Sequence, residues 1–312
     1  MITDTAREFF RSIGYEELAS ELVDHPVKVL DYYHIYQMKT GKKLRWIQEP
    51  IGELKRLQQA LLPFLDKFPF HSACTARSEF SIADNAEPHH NSSIILKLDI
   101  KDFFPNTDIP KILEGINSIP PENNIFSRDI VNPILLLGTV PLGPNRILPI
   151  GAPTSPILAN IAATPIDYLI EEVANIYHFK YTRYVDDITL SSNRGRDSRL
   201  LDEIQDIIYM AGYRLNNKKT QWIESCENKK YEVTGVKLET EKSNIKVPRD
   251  VRRLVRARLN NIAAKNEKID EVTNGYLAYI QAIDIEAYNN LNIYLGKRQA
   301  FYEKLRGKCP SP

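Results

Sequence analysis

The chain has 312 residues, 43% hydrophobic and 26% charged, ordinary values for a soluble globular protein with room for two or three subdomains. That composition excludes a disordered chain and a coiled coil, and no apolar run reaches the roughly 18 residues needed to cross a bilayer. The net charge of +1 is low for a nucleic-acid binder, but residues 1–70 hold ten Lys or Arg and ten Asp or Glu, whereas residues 213–265 hold fourteen and six. A positive footprint is therefore available in the C-terminal third.

The start, MITDTAREFFRSIGYEELAS, lacks a basic stretch followed by an apolar one, so a cytoplasmic protein without a membrane partner is expected. Residues 1–40 read as helical, with TAREFFRSI and YEELASELV amphipathic at a 3.6 period and DHP breaking the later turns. KKLRWIQEP at 42–50 reads as a strand closed by Pro50. GELKRLQQALLPFLDKF at 52–68 reads as a helix with Leu54, Leu57, Leu61, Leu62 and Leu65 on one buried face. SIILKLDIKDFF at 93–104 is predicted to be a strand ending at Pro105, with Ile95, Lys97 and Asp99 on one parity. Residues 117–149, rich in Pro, Asn and Gly, are expected to form an irregular connection. PTSPILANIAATPIDYLIEEVANIY carries a Pro-flanked start signal and continues as a helix through Pro165. A hairpin over 181–192, a helix near 198–212, strands near 220–223 and 231–239, and a largely helical C-terminus from Pro248 complete the pass. The middle order of strand, helix, strand-strand, helix, strand resembles the split βαβ arrangement of ferredoxin-like sheets, an α+β fold. Cys74, Cys226 and Cys309 are odd in number and far apart, which reads as reduced thiols.

Within the hairpin, YTRYVDDITLSS places two adjacent carboxylates, Asp186 and Asp187, inside a strand-like run. Side chains alternate faces along a strand, so both cannot enter an apolar core without a turn between them or a cation to neutralise them. The bend is expected at Val185-Asp186-Asp187, with Ile188-Thr189-Leu190 as the return arm; a solvated hairpin tip is the plain alternative. In a ferredoxin-like sheet Asp99, at the end of a neighbouring strand, meets this pair at one edge. Three carboxylates gathered there repel strongly unless they hold cations, and Mg²⁺ takes one or two carboxylates together with substrate phosphates and water.

LDIKDFFP (98–105), PIGAPTSPILAN (149–160), RYVDDITLS (183–191), LNNKKT (215–220) and VTGVKL (233–238) stand in the order of the motifs of reverse transcriptases and resemble them over most of residues 40–240. NAEPHH at 85–90 and Val233-Thr234-Gly235 are similar to two short signatures of retron reverse transcriptases. The resemblance implies a right-hand polymerase with fingers, a ferredoxin-like palm and a helical thumb. Its expected divisions are 1–92 for N-terminal helices and fingers, 93–240 for the palm with an insertion near 107–148, and 241–312 for the thumb and RNA-binding helices.

By the same resemblance Asp99, Asp186 and Asp187 are catalytic metal ligands for two Mg²⁺ ions, with Mn²⁺ as a possible substitute and the Ile100 carbonyl as a further ligand. Phe104 takes the place of the aromatic that excludes a 2′-hydroxyl, although Phe103 and Phe104 are also candidate core residues. Lys43 and Arg45 are candidates for gripping the incoming triphosphate, with a solvated strand edge as rival, and Lys219 for a place near the pyrophosphate. Ile150 stands where related enzymes commonly carry Gln, which puts nucleotide discrimination in doubt. Asn85, His89, Val233, Thr234 and Gly235 are assigned to nucleic-acid binding, with a structural role for Asn85 and His89 left open.

Without any family, VPRDVRRLVRARLNNIAAK (247–265) reads as a helix with Val251, Leu254, Val255, Leu259 and Ile262 on one face and Arg249, Arg252, Arg253 and Arg256 opposite. An arginine face of this kind suits a nucleic-acid backbone, and Tyr276, Tyr279, Tyr288 and Tyr294 divide between core and base stacking. The resemblance implies an enzyme that copies part of its own structured non-coding RNA into DNA, priming from a 2′-hydroxyl to give a branched product, in anti-phage defence. Its expected partners are that RNA, its DNA product, deoxynucleoside triphosphates, a separate effector protein and host ribonuclease H, since about 120 residues after the Asp pair leave no room for a ribonuclease H domain. A group II intron-type or other defence-associated reverse transcriptase, and an RNA/DNA scaffold restraining an effector, are the rival readings.

Overall fold

Two amphipathic helices open the chain, α1 (Asp4–Ser12) and α2 (Glu16–Asp24), and bury Phe10, Leu18 and Leu22. This computed structural model describes residues 2–40, 43–224, 231–238 and 245–306. Cys226, Cys309 and residue 239 of the predicted 231–239 strand lie outside them. The helical expectation for 1–40 fails in its last part: Tyr33–Thr40 is a strand, β1, paired antiparallel with β2 (Lys43–Pro50) from Tyr33 opposite Pro50 to Thr40 opposite Lys43. Its aromatic and β-branched residues suit a pleated ladder, which overrides the weak helical pattern. Helix α3 (Gly52–Leu65) buries Leu54, Leu57, Leu61 and Leu65.

After α4 (Ile82–Ala86), started by a Ser81/Asp84 capping box, strand β3 (Ile94–Asp99) ends at Asp99. The predicted run to Pro105 is instead a series of turns that includes left-handed Asp102. Helix α5 (Ile109–Asn117) follows. The supposed irregular connection holds a helix, α6 (Arg128–Gly138), and a small hairpin, β4 (Val140–Leu142) with β5 (Asn145–Ile147). The helix carries Asn132 and Pro133 in its own interior, while Ile134, Leu135 and Leu137 are buried along it.

Helix α7 (Ser155–Ile176) runs through Pro165. That proline cannot donate to the Ile161 carbonyl four residues back. There α5 approaches so closely that a Cβ on Gly115 would stand 1.9 Å from this oxygen, which makes glycine obligatory. The hairpin β6 (Lys180–Tyr184) and β7 (Asp187–Ser192), helix α8 (Ser198–Met210) and β8 (Gln221–Glu224) come next. The single strand predicted at 231–239 is two, β9 (Glu232–Val233) and β10 (Val236–Leu238), and β11 (Ile245–Lys246) precedes α9 (Arg249–Lys265), α10 (Glu271–Ile283) and α11 (Ile285–Arg306).

The residues group into two units. The first comprises Met1–Glu79, Leu96–Leu190 and Gly195–Trp222. Its sheet has the order β6-β7-β3-β8, the ferredoxin-like arrangement in which the first strand is central between the third and the fourth. The second comprises Phe80–Ile95, Ser191–Arg194 and Ile223–Pro312. There a three-stranded sheet, β11-β10-β9, and the C-terminal helices share a core of Val233, Val236, Leu238, Val255, Leu259 and Ile280. Among the described residues no helix is long and apolar enough to cross a membrane.

Candidate active site

In the first unit β3 delivers Asp99 as its last residue, and the β6–β7 hairpin turns at Val185 and Asp186 so that Asp187 opens the return strand. Val185 has φ 57°, in the left-handed region. For a β-branched residue this costs about 1–3 kcal/mol and survives only where the surroundings fix it. Two hydrogen bonds do so: Arg183 Nη1 donates to the Val185 carbonyl at 2.9 Å, and the Ile100 N–H donates to the Asp186 carbonyl at 2.9 Å. The second bond ties the carboxylate pair to the residue after Asp99.

The carboxylates feel one another. Asp187, open to solvent on one side and packed on the other, has its pKa pushed up to about 6 by desolvation first, then by Asp186 and Asp99. Desolvation likewise raises Asp186, against the pull of its own backbone N–H, Lys219 and Arg45. Asp99, 4% exposed, accepts from Asn216 Nδ2 on Oδ1 at 3.0 Å and from Lys219 Nζ on Oδ2. The Asn216 N–H also donates to the Asp99 carbonyl at 2.8 Å. Partial burial works against the Lys219 ammonium, but its hydrogen bond to Asp99 and the charges of all three aspartates hold its pKa above the ordinary value.

Among the described residues no three His, Cys, Asp or Glu side chains form a ready metal cage. The donor set nevertheless fits a hard divalent cation: Asp186 and Asp187, whose ionisation burial opposes, stand beside Asp99 with an ammonium seated on it. Mg²⁺ completes its shell with substrate phosphate and water, so an open set suits it.

The other predicted nucleotide contacts are partly gathered here. Arg45 is exposed on β2 and its charge reaches Asp186. Lys43 is the first residue of that strand. Phe103 is core, 3% exposed against Tyr213 at a ring-centroid distance of 5.3 Å, and Phe104 is half-buried. Ile150 contributes its backbone, accepting from the Gln48 N–H at 2.8 Å. Beside it Gly151 has φ 117° and passes so close to Ile47 that a Cβ would stand 3.1 Å from that side chain. Sequence reasoning missed Asn216, although it lies inside LNNKKT, and missed the buried partners of Arg183. An arginine within a strand-like run of Tyr, Thr and Val, beside the Asp pair, was the available signal.

In the second unit, Asn85, His89 and Val233, expected to bind nucleic acid, are fully buried, so as placed they cannot touch it. Asn85 Nδ2 donates to Thr234 Oγ1 at 3.1 Å, and His89 Nδ1 lies 2.7 Å from Ser191 Oγ. The two short signatures thus hold each other. Thr234 (φ 46°) and Gly235 (φ 78°) form the tight turn between β9 and β10, where successive left-handed residues match the strand twist. Tyr279 Oη donates to the Gly235 carbonyl at 2.8 Å. Thr234 is half-buried and Gly235 exposed.

Arg249, Arg252, Arg253 and Arg256 line a groove of about 590 Å³ with Asn290, Tyr294 and Lys297 of α11. Val255, Leu259 and Ile262 face the core, but Leu254 is 45% exposed. The arginines flank the core face instead of standing opposite it, because α11 packs along that side of α9. Arg252 Nε is buried without a hydrogen-bond partner, and Arg256 lies 4.4 Å over the Tyr294 ring. Tyr276, Tyr279 and Tyr288 are half-buried against the core. Among the described residues no carboxylate forms an ion pair with any of the four arginines.

A sequence profile described as "Reverse transcriptase (RNA-dependent DNA polymerase)" matches residues 37–238, and the chain belongs to that family of RNA-directed DNA polymerases. It is 32% identical to the Retron Ec86 reverse transcriptase of Escherichia coli, over 87% of this chain and 83% of that one. It is 30% identical to the Retron Ec73 reverse transcriptase of the same species, over 80% and 82%. These relatives set it, within the family, among the retron reverse transcriptases. Among solved structures, telomerase from Candida albicans in complex with a TWJ fragment of telomeric RNA aligns with a TM-score of 0.50 at 14% identity, over 87% of this chain and 56% of that one. That likeness is one of fold, the α+β right-hand polymerase.

Proposed function

We propose that this enzyme copies part of its own structured RNA, starting from an RNA 2′-hydroxyl and leaving a branched RNA–DNA molecule, and that it serves anti-phage defence beside a separate effector. The observation that carries the catalytic part is the fixed turn that aims Asp186 and Asp187 at the strand ending in Asp99. In each addition the hydroxyl gives up its proton to solvent, its oxygen bonds the α-phosphorus, the bond from that phosphorus to the oxygen bridging to the β-phosphate breaks, and pyrophosphate leaves. Two divalent ions, when bound, stabilise the attacking and leaving oxygens. Asp99, Asp186 and Asp187 are the protein ligands that hold them, with the Ile100 carbonyl as a further donor. Lys219 exchanges Asp99 for phosphate oxygen, and Arg45, with Lys43, neutralises the triphosphate. Phe104 lies under the sugar and excludes a 2′-hydroxyl.

The arginine groove and the Thr234–Gly235 turn are assigned to the RNA, supported by groove arginines that have no carboxylate partner among the described residues. Asn85 supports that turn from within, through Thr234 Oγ1. The fold and the carboxylates suit any reverse transcriptase; the priming reaction is what separates this reading from the others. Nucleic acid copurified with the protein should contain one RNA species joined to DNA through a 2′,5′ linkage that a debranching enzyme cleaves. Linear complementary DNA with an ordinary 3′ start would overturn the priming reaction while leaving the polymerase intact.

A further inference from the structure

We infer that Arg183 is a positioning residue of the polymerase site: from beneath the hairpin it holds the Val185 carbonyl, and so sets how Asp186 and Asp187 approach Asp99. The inference rests on the reading of those aspartates as the metal ligands.

The Arg183 side chain is fully buried and its donors are distributed in three directions. Nε and Nη2 form a bidentate pair with Asp167, at 2.7 Å to Oδ1 and 2.6 Å to Oδ2. Nη1 donates both to Asn160 Oδ1 at 2.8 Å and to the Val185 carbonyl at 2.9 Å. Asp167 and Asn160 lie seven residues apart on α7, about two turns of one rigid helix. Each is fixed in turn: Asp167 accepts from Tyr181 Oη at 2.5 Å, and Asn160 Nδ2 donates to the Ala76 carbonyl at 2.7 Å. A planar guanidinium thus transmits the position of α7 to one peptide of the catalytic turn.

That peptide matters because its carbonyl belongs to Val185 and its N–H to Asp186. Rotation about it swings the Asp186 side chain, and Val185 is the residue with the unfavourable φ. A buried ion pair serving the fold alone needs Asp167 and nothing at the turn. The bond to Val185 is what connects the pair to the chemistry. The terminal Asn of PIGAPTSPILAN and the Arg of RYVDDITLS are therefore two halves of one support.

Removing Arg183 alone leaves the Asp167 charge buried, so a charge-balanced variant, Arg183→Met with Asp167→Asn, is compared with Arg183→Lys. A lysine can pair with Asp167 but has no fork to reach Val185 as well. Each folded variant, bound to its RNA, is measured for Mn²⁺ affinity by electron paramagnetic resonance, for amide exchange across 184–188, and for single-nucleotide addition. Mn²⁺ binding should weaken at least fivefold, exchange at Asp186 and Asp187 should quicken at least tenfold, and kcat should fall at least tenfold with KM for the nucleotide within twofold. Adding Val185→Gly, which takes a positive φ freely, should recover at least threefold of the lost kcat.

Wild-type Mn²⁺ affinity and kcat in either folded variant overturn the inference. If neither variant gives a cooperative melt, exchange in the wild type decides: 184–188 exchanging as fast as exposed loops overturns it, and protection matching that of α7 supports it. Asp186→Ala with Asp187→Ala runs in parallel. DNA synthesis by that variant overturns the aspartate reading itself, whereas its inactivity beside wild-type Arg183 variants sinks this inference alone.

Discussion

Arg183 in the first unit directs its guanidinium to Asp167, Asn160 and Val185 inside the protein. Arg249, Arg252 and Arg253 in the second unit open onto a groove and have no carboxylate partner among the described residues. The same side chain is therefore used to stiffen a site in one place and to offer unmatched charge in another. The carboxylates show the converse. Asp167 is fully matched and supports the fold, while Asp186 and Asp187 carry charge that the protein itself leaves poorly compensated. Unmatched charge of either sign marks where a ligand is expected, and matched buried charge marks what holds the site in shape.

The largest effect expected from this contrast is on synthesis. Replacing Asp186 and Asp187 together by Ala should lower primer extension by at least about a thousandfold, since the transition-state charge loses its metal ligands. Binding of the cognate RNA, measured in the same preparation, should change less than twofold because the arginine groove is untouched. Extension by the double variant with Mg²⁺ and deoxynucleotides would sink the assignment.

Next comes the contrast between the two kinds of arginine. Arg183→Met should destabilise the protein by about 3–5 kcal/mol, because it leaves Asp167 as an uncompensated buried charge. Arg253→Met, at an exposed position, should fall within about 0.5 kcal/mol of wild type. The ranking reverses for RNA. Neutralising Arg252 and Arg253 should weaken binding and flatten its salt dependence by about one unit per lost phosphate contact. Denaturant melts and titrations at several salt concentrations read both. An unchanged salt slope means that the groove does not meet phosphate.

The two regions also differ in how far the sequence disclosed them. Asp99, Asp186 and Asp187 were legible because carboxylates on apolar strands are anomalous wherever the strands sit. The support beneath them was not, because Asn160, Asp167 and Arg183 look ordinary until α7 and the hairpin are placed together. Asn85 and His89 were ambiguous between ligand contact and support of the fold, because a short polar signature does not show its burial, which turns them toward Thr234 and Ser191. On α9 the 3.6 period found the right helix but misplaced its core face, since periodicity cannot say on which side α11 packs. Tyr33–Thr40 was lost to its helical neighbours because a strand pairing with residues further along leaves little trace in a local window. The helix within 117–149 was hidden by Asn132 and Pro133 inside it and by the Pro and Asn around it.

A smaller effect is expected at Phe104. Phe103 is core, whereas Phe104 is only half-buried, so its ring is the one free to meet a nucleotide. Phe104→Ala should raise incorporation of ribonucleotides relative to deoxynucleotides by roughly tenfold, the scale of a lost steric contact worth about 1.4 kcal/mol. Paired kinetics on one primer-template read this ratio. Unchanged discrimination in a folded variant returns Phe104 to a packing role.

The least conspicuous effect sharpens the idea of unmatched charge without any substrate. The pKa of Asp187 stands at about 6 in the folded protein against an ordinary 3.8, raised by desolvation and then by Asp186 and Asp99. A carboxyl raised on folding favours the folded state while both states are protonated below pH 4, and that contribution is lost as pH rises through 6. Asp187→Asn removes the ionisation and should raise the melting temperature of the metal-free protein at pH 7.5. The gain should shrink as pH falls from 6 to 4. Added Mg²⁺ should stabilise the wild type at pH 7.5 more than the variant, because binding supplies the charge that the protein withholds. A melting difference that is absent at pH 7.5, or that grows on acidification, means that Asp187 already has its counter-charge in the protein and is not waiting for a cation.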